Sequence, residues 1–320
     1  MMPVKPSIAV IATGGTIASK RGEDGASTPV LSGEDLLSFV PGLEAELRPV
    51  DLMAKDSASL TLSDMQRISD AVGSSMENSE INGVVVLHGT DAMEETALLV
   101  QLQRRIGKPV IFTGAQFTAD HPQADGPGNL ATAIRLACDP ANADKGVLIA
   151  FGGRIVPAWG AYKFSSDSAD AFRSARSILL HNPALPAPVG ERRVDTIAIY
   201  PGCDALHIEA SLAAGASGMV LAALGSGNTT PCVVEAVREC SRRNIPVVVS
   251  SRVPEGLLVP GYGGGGGGYD LGEAGAIHAH TLRPGQARIL LAALIASGSP
   301  KDAMIRAFSD YQSAAGQNLI

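Results

Sequence analysis

In "NGVVVLHGTDAMEETALLVQLQRRIG" (residues 82–107), an apolar run passes directly into a helical pattern. The run is short, rich in valine and closed by glycine, which is typical of a strand buried on both faces. The pattern predicts a strand over 82–89 and a helix over 96–107. Between them lies a polar junction that contains Thr90 and Asp91. One strand–helix unit of a parallel α/β sheet is therefore expected here.

The same alternation continues on both sides of this unit. Further short apolar runs predict strands over 7–12, 108–114 and 145–153. Helical spacing of apolar residues predicts helices over 63–76 and 128–137. Strands that alternate with helices indicate a parallel sheet covered on both faces.

The alternation stops at "HNPALPAPVGERR" (181–193), whose three prolines are typical of a linker. It resumes with strands predicted over 194–200, 216–225 and 245–251, and with helices predicted over 231–244, 285–297 and 300–311. We therefore predict an N-terminal catalytic α/β domain over 1–183, a linker over 184–193 and a smaller C-terminal α/β domain over 194–320.

Composition excludes several classes of protein. The chain of 320 residues carries a net charge of −7 without clustered basic residues, which argues against nucleic-acid binding. No apolar run is long enough for a signal peptide or a membrane span, so we expect a cytoplasmic protein without membrane contact. Four scattered cysteines argue against a zinc site or a disulfide framework. The glycine-rich stretch 261–272 is expected to be a flexible loop, because no P-loop lysine follows it.

Hydroxyl side chains follow two of the predicted strands. In "ATGGTIAS" (12–19), Gly14 and Gly15 permit a tight turn, from which Thr16 projects. The G-x-G-x-x-G dinucleotide fingerprint is absent. A plain turn with a capping threonine is the competing interpretation.

The second hydroxyl is Thr90, next to Asp91. Asp91 followed by Glu94 fits a helix N-cap, but a cap does not explain Thr90. A hydroxyl nucleophile needs a base. His88 is the nearest one, although its place at the end of a buried strand favours a core histidine. Lys163, in "GAYKFSSDSADAF" (160–172), is the other candidate base, although its local sequence taken alone favours an exposed surface lysine.

Taken together, "ATGGTIAS" and "LHGTDAMEETA" (87–97) resemble the two signature motifs of the bacterial-type L-asparaginase/glutaminase family. The resemblance extends to further stretches, namely 113–116, 124–133, 162–172, 225–228 and 281–291. It implies a large α/β domain with a left-handed crossover, a smaller α/β domain, and assembly as a homotetramer built as a dimer of dimers.

The resemblance also implies roles for individual residues. Thr16 corresponds to the first catalytic threonine of the family, in the N-terminal loop. Thr90, Lys163 and Asp91 correspond to the second catalytic group, in which the neutral lysine amine accepts a proton. Asp91 would also bind the α-ammonium of the substrate.

Four further positions correspond to substrate-binding residues. Ser57 matches the serine that binds the α-carboxylate, and Gly15 contributes backbone N–H to the oxyanion site. Ala115 matches a residue whose main-chain carbonyl faces the scissile amide, and Asn228 matches an asparagine from the neighbouring subunit. The implied reaction is hydrolysis of L-asparagine to L-aspartate and ammonia through an acyl-enzyme on Thr16. No metal and no organic cofactor are implied.

The sequence departs from the family pattern in its first loop. Many members carry a tyrosine there, whereas residues 19–33 contain none, and Ser27 or Thr28 falls near its place. Ala58 stands where many members have a polar side chain. The preference for asparagine over glutamine therefore stays open at this point.

Other functions on the same scaffold are also considered. A broad glutaminase–asparaginase and a non-catalytic amino-acid sensor fit the same motifs. The amidase subunit of an archaeal-type tRNA amidotransferase should carry an added segment before the first motif, which here begins at Thr13. Some relatives also contribute a glutamate from the neighbouring subunit, for which Asp270 and Glu273 are the candidates.

Overall fold

The computed structural model describes residues 5–22, 27–29, 32–38, 40, 42–174, 184–190 and 192–309. These residues form two compact units. Those before 175 and residues 188–190 belong to the first unit, whereas 184–187 and those from 192 onward belong to the second. The predicted linker thus contributes residues to both units, and the domain boundaries at 183 and 194 stay predictions.

The first unit is built on a six-stranded sheet. The strands of this unit are β1 (Ser7–Gly14), β2 (Ser19–Arg21), β3 (Ser27–Pro29), β4 (Glu46–Lys55), β5 (Gly83–Leu87), β6 (Val110–Thr113), β7 (Val147–Phe151), β8 (Arg154–Pro157), β9 (Ala161–Lys163) and β10 (Phe172–Ser174). The sheet order is β4-β1-β5-β6-β7-β8, and all neighbours are parallel except β7 and β8. The predicted α/β class is confirmed, with one antiparallel edge strand added.

Helices cover both faces of this sheet, as predicted. They are α1 (Gly33–Ser38), α2 (Leu62–Glu77), α3 (Met93–Gln103) and α4 (Gly126–Cys138). Apolar residues of α2 and α3, such as Ile68 and Ala97, pack on one face. Those of α1 and α4, such as Leu36 and Leu130, pack on the other. The central strands β5, β6 and β7 are buried along their whole length, which explains their unbroken runs of valine and isoleucine.

Two local features depart from the predictions. β4 was not predicted, because most of its residues are partly or fully exposed and no apolar run marks it. It is an edge strand beside β1. The proposed N-cap at Asp91 is wrong, because α3 begins at Met93 with Ala92 as its N-cap and has no side-chain cap.

The second unit contains a four-stranded parallel sheet in the order β11-β12-β13-β14. Its elements are β11 (Val194–Ala198), α5 (Leu206–Ala213), β12 (Gly218–Ala223), α6 (Pro231–Arg242), β13 (Val247–Ser251), α7 (Gly268–Glu273), β14 (Ile277–His278), α8 (Pro284–Ala296) and α9 (Lys301–Ser309). The second, smaller α/β unit is therefore confirmed. The left-handed crossover stays a prediction.

The glycine-rich stretch 261–272 was predicted to be a loop throughout, but from Gly268 onward it belongs to α7, and glycines before the helix make specific contacts. The backbone N–H groups of Gly265 and Gly267 donate to Asp270 Oδ2 at 2.7 and 2.9 Å. A Cβ at Gly267 would lie 1.7 Å from the Tyr262 carbonyl oxygen, so the close approach of two backbone segments requires glycine there. Within the described ranges, no helix is long and apolar enough to cross a membrane.

Candidate active site

Two glycine-containing turns meet at the carboxyl end of the first sheet. Gly15 follows β1 with a φ of 81°, and a short 3₁₀ turn, Thr16–Ala18, begins directly after it. A Cβ at Gly15 would lie 2.5 Å from the Gly89 Cα, so the turn after β1 touches the turn after β5. Ligands of parallel α/β sheets bind at this end of the strands. The contact therefore brings the first motif beside the second.

Thr90, Asp91 and Lys163 form one hydrogen-bonded group. The Lys163 Nζ donates to Thr90 Oγ1 at 2.8 Å and to Asp91 Oδ1 at 2.6 Å. The side chain of Lys163 is 20% exposed and that of Asp91 is 56% exposed. One oxygen of the Asp91 carboxylate is therefore engaged by the lysine while much of the side chain faces solvent. The alternative of an isolated surface lysine is wrong.

The Ser57 side chain is bonded to this group through the backbone N–H of Asp91. It lies in the 3₁₀ turn Ser57–Ser59 after β4 and is 3% exposed. Its Oγ accepts a hydrogen bond from the Asp91 N–H at 3.1 Å. A Cβ at Gly89 would lie 2.5 Å from this Oγ, so only glycine fits at position 89 without displacing the serine.

Ala115 follows β6 in a segment held by side chains of α4 and of Asp125, the residue before this helix. Asp125 accepts hydrogen bonds from the Gln116 and Phe117 backbone N–H groups at 3.0 Å. The Asn129 Nδ2 donates to the Gly114 carbonyl at 3.0 Å. These contacts join the stretches 113–116 and 124–133 in space.

His88 is a buried core residue, in agreement with the interpretation favoured from the sequence. It is 0% exposed, and its Nδ1 donates to the Gly89 carbonyl at 2.7 Å. Burial lowers the pKa of its imidazole to about 4. The ring has no access to solvent and packs against Phe112, which fits a core residue rather than a base that meets substrate.

Glu94 is a residue at this site that the sequence interpretation missed. It lies in the first turn of α3, and its Oε1 accepts from the Lys163 backbone N–H at 3.4 Å. Burial raises the pKa of its carboxyl to about 8. The sequence interpretation explained Glu94 as part of a helix N-cap that begins at Asp91, so it offered no separate signal for a buried acid.

Asn228 and the two acidic candidates belong to the second unit. The Asn228 Oδ1 accepts from the Gly268 N–H at 3.3 Å. Asp270 is engaged by backbone N–H groups of the glycine-rich stretch, and Glu273 is exposed at the end of α7. Their assignment to a neighbouring subunit stays a prediction. The backbone of Ser27 and Thr28 forms β3, and their side chains lie outside the described structure.

The described part of the chain contains no group of three or more His, Cys, Asp or Glu residues that could hold a metal ion. Its four cysteines are free thiols. The site described above presents hydroxyl, amine and carboxylate side chains together with backbone N–H groups.

Comparison with known proteins assigns the family. Residues 7–183 match the family described as "Asparaginase, N-terminal", and residues 193–308 match "Glutaminase/Asparaginase C-terminal domain". The chain belongs to the bacterial-type L-asparaginase/glutaminase family. It is thus an enzyme of the amidohydrolase class.

Individual members of the asparaginase family resemble the chain over nearly its whole length. A "Probable L-asparaginase" of Deinococcus radiodurans is 35% identical and covers 95% of this chain and 97% of its own. A "Probable L-asparaginase periplasmic" of Haemophilus influenzae is 27% identical, with coverage of 96% and 93%. The crystal structure of a "Probable Cytoplasmic L-asparaginase" of Campylobacter jejuni superposes with a TM-score of 0.84, is 28% identical, and covers 96% of this chain and 100% of its own.

Proposed function

We propose that this asparaginase-family enzyme hydrolyses the side-chain amide of L-asparagine to L-aspartate and ammonia. The observation that carries the proposal is the Lys163 amine, 2.8 Å from Thr90 Oγ1 and beside Asp91, in a site that also contains the Gly15–Gly89 contact. A site that only bound an amino acid would need charges and hydrogen bonds, but it would not need an amine on a threonine hydroxyl. This favours catalysis over the sensor alternative.

In the proposed mechanism, Thr16 is the nucleophile. Its Oγ1 attacks the amide carbon, its proton passes to the leaving nitrogen, and the C–N bond breaks to release ammonia. The remaining ester on Thr16 is then attacked by water, which restores the hydroxyl and releases L-aspartate. Backbone N–H groups near Gly15 and Thr90 stabilise the oxyanion in both steps, and each such donor is typically worth about 3–4 kcal/mol.

Thr90 and Lys163 supply the proton transfers. A neutral Lys163 amine accepts the proton of Thr90 or, through it, that of the attacking water. Asp91 stabilises the charged form of the lysine that results, since its Oδ1 lies 2.6 Å from the Nζ. Direct attack by a water molecule activated by Thr90 is the competing mechanism, and it predicts no covalent intermediate on Thr16.

Recognition of the amino-acid head group is assigned to neighbouring positions. Ser57 binds the α-carboxylate, Asp91 binds the α-ammonium, and the Ala115 carbonyl faces the scissile amide. Asn228 reaches the site of a neighbouring subunit in a homotetramer, built as a dimer of dimers. We also propose a cytoplasmic location. The Campylobacter structure, which is described as cytoplasmic, supports this location. The Haemophilus relative is described as periplasmic and does not.

A broad glutaminase–asparaginase is the second candidate. The observation that favours it is the absence of tyrosine from residues 19–33, a departure from the pattern of many family members that leaves the preference between the two amides open. The ratio of kcat/KM for the two amides distinguishes the candidates.

The test is ammonia release from L-asparagine and L-glutamine by wild type, Thr16→Ala and Thr16→Ser. Loss of the hydroxyl should lower kcat by at least about three orders of magnitude, whereas the serine variant should retain measurable turnover. Mass spectrometry of a rapidly quenched reaction should find an acyl group on the peptide that contains Thr16. Near-normal turnover by Thr16→Ala would refute the nucleophile, and no turnover by folded wild type would favour the sensor.

A further inference from the structure

One buried carboxylate, that of Asp64, accepts hydrogen bonds from both ends of the segment that carries Ser57. Asp64 lies in the first turn of α2 and is 5% exposed. At the start of the segment, Lys55 Nζ donates to its two oxygens at 2.9 and 2.8 Å. At the end, the N–H and Oγ1 of Thr61 donate to Oδ2 at 3.0 and 2.8 Å. Residues 55–61 therefore form a loop whose two ends bind the same side chain.

The interior of this loop is also fixed. Asp56 accepts a hydrogen bond from the Ala58 N–H at 3.3 Å, and Ser57 begins a 3₁₀ turn. Backbone atoms of Lys55 lie within 2.6 Å of a Cβ placed on Gly14, so the start of the loop rests against the end of β1. Ser57 consequently has little freedom relative to the turns that follow β1 and β5.

Helix capping alone does not explain this arrangement. Thr61 and Asp64 form a complete capping box for α2, in which each side chain accepts from the other's backbone N–H. Lys55 is not needed for that box, and it lies nine positions before Asp64 in the chain. The side chain of Asp64 is 8% exposed and that of Lys55 is 44% exposed, so this ion pair is partly shielded from solvent.

We propose that Asp64 is a positioning residue for substrate binding: it clamps residues 55–61 so that Ser57 is held ready for the substrate carboxylate. The inference rests on the proposed function, in which Ser57 binds that carboxylate. A clamped loop loses little conformational entropy when the substrate binds, whereas a free loop must be ordered at that moment. Loss of the clamp should therefore weaken binding of the substrate more than it slows the chemical step.

The test compares Asp64→Asn with Asp70→Asn. Asp70 is on the same helix and binds Arg104 and Gln66, but it makes no contact with the loop. For Asp64→Asn we expect KM for L-asparagine to rise about tenfold, with kcat within about threefold of wild type. Asp70→Asn should leave both constants within about twofold. Hydrogen exchange of the peptide that spans residues 55–61 should be faster in Asp64→Asn alone.

Lys55→Met is the second variant, because its side chain is half exposed and its loss leaves the capping box intact. Lys55→Met should also raise KM for L-asparagine, as Asp64→Asn does. It keeps the test valid if Asp64→Asn does not fold. Unchanged KM in both variants would overturn the proposal. A lower kcat with unchanged KM would also overturn it, since that result indicates a smaller active fraction. If wild type releases no ammonia, the proposed function fails. The clamp is then tested by hydrogen exchange at residues 55–61 alone. Faster exchange in Asp64→Asn than in Asp70→Asn supports the clamp, and equal exchange in the two variants excludes it.

Discussion

Lys163 Nζ lies 2.8 Å from Thr90 Oγ1, although the two residues are 73 positions apart. The short strand β9 ends at Lys163 and pairs with β10, where Lys163 lies opposite Phe172. Its amine therefore extends from a small separate hairpin to the junction after β5. Because this hydrogen bond joins β9 to the junction after β5, replacement of Lys163 should affect the position of Thr90 and hence turnover.

Replacement of Lys163 should separate its role as a base from its role as a charge. A guanidinium stays protonated in proteins, so Lys163→Arg presents a cation that cannot accept a proton. We expect both Lys163→Met and Lys163→Arg to lower kcat/KM by about 10²–10⁴-fold, the usual range for general acid–base groups. Steady-state ammonia release measures this effect. The matched control is Lys145→Met, which removes a lysine bonded to Asn142 and should leave turnover unchanged. An active arginine variant would show that charge alone suffices.

The buried acid Glu94 should make stability depend on pH. Its pKa is raised from 4.5 to about 8, so its neutral form fits the folded state best. The contribution of the neutral Glu94 carboxyl to the free energy of unfolding is therefore complete below pH 4.5. It is lost as the pH rises towards and through 8. Glu94→Gln cannot ionise, and at pH 9 it should be more stable than wild type by at least about 1.4 kcal/mol, the value of one pKa unit.

Urea unfolding at pH 5 and pH 9 measures this difference. The gain from Glu94→Gln should be small at pH 5 and large at pH 9. Glu77→Gln, at the exposed end of α2, is the control and should show no such change with pH. An equal effect of Glu94→Gln at both pH values would mean that the carboxyl does not titrate with a raised pKa.

The glycines of the two turns should be intolerant of alanine. A Cβ at Gly15 would lie 2.5 Å from the Gly89 Cα, and Gly15 has a φ of 81°, so both sterics and backbone conformation oppose Gly15→Ala. We expect a loss of more than about 1 kcal/mol in the free energy of unfolding and a strong loss of turnover. The control is Gly128→Ala, which meets no atom within 4 Å and lies in α4. There alanine should stabilise by about 0.5–1 kcal/mol. Equal effects of the two substitutions, measured by denaturant unfolding, would contradict the steric argument.

Much of this fold could be predicted from the sequence because its central strands are buried on both faces. β5, β6 and β7 are runs of valine, isoleucine and other apolar residues, and the helices between them repeat apolar residues at helical spacing. The two turns that carry Thr16 and Thr90 could be located for the same reason, since polar residues stand out at the ends of such strands. The family motifs then supplied Lys163, which its local sequence does not distinguish from a surface lysine.

The remaining features depend on contacts between distant segments. β4 is a partly exposed edge strand, and it becomes a strand by pairing with β1. The glycine-rich stretch is fixed by Asp270, one carboxylate that accepts two backbone N–H groups. Glu94 and Glu95 are adjacent acidic residues in the first turn of α3, and the sequence pattern does not show that the Glu94 carboxyl is bonded to the Lys163 backbone N–H and has a raised pKa. Local patterns contain no record of these tertiary contacts.

Replacement of Asp270 by alanine should lower the stability of the protein, whereas replacement of Glu273 should not. Asp270 holds Gly265 and Gly267 through two charge-assisted hydrogen bonds, and Gly268 in turn donates to Asn228 Oδ1. Asp270→Ala should therefore lower the free energy of unfolding by about 1–3 kcal/mol, whereas exposed Glu273→Ala should have almost no effect on it. Denaturant unfolding measures the stability of both variants, and steady-state kinetics then gives KM for L-asparagine. A stable Glu273→Ala protein with a raised KM would assign this glutamate to a neighbouring active site. An unaltered stability for Asp270→Ala would show that the carboxylate is not what holds the glycine-rich stretch in place.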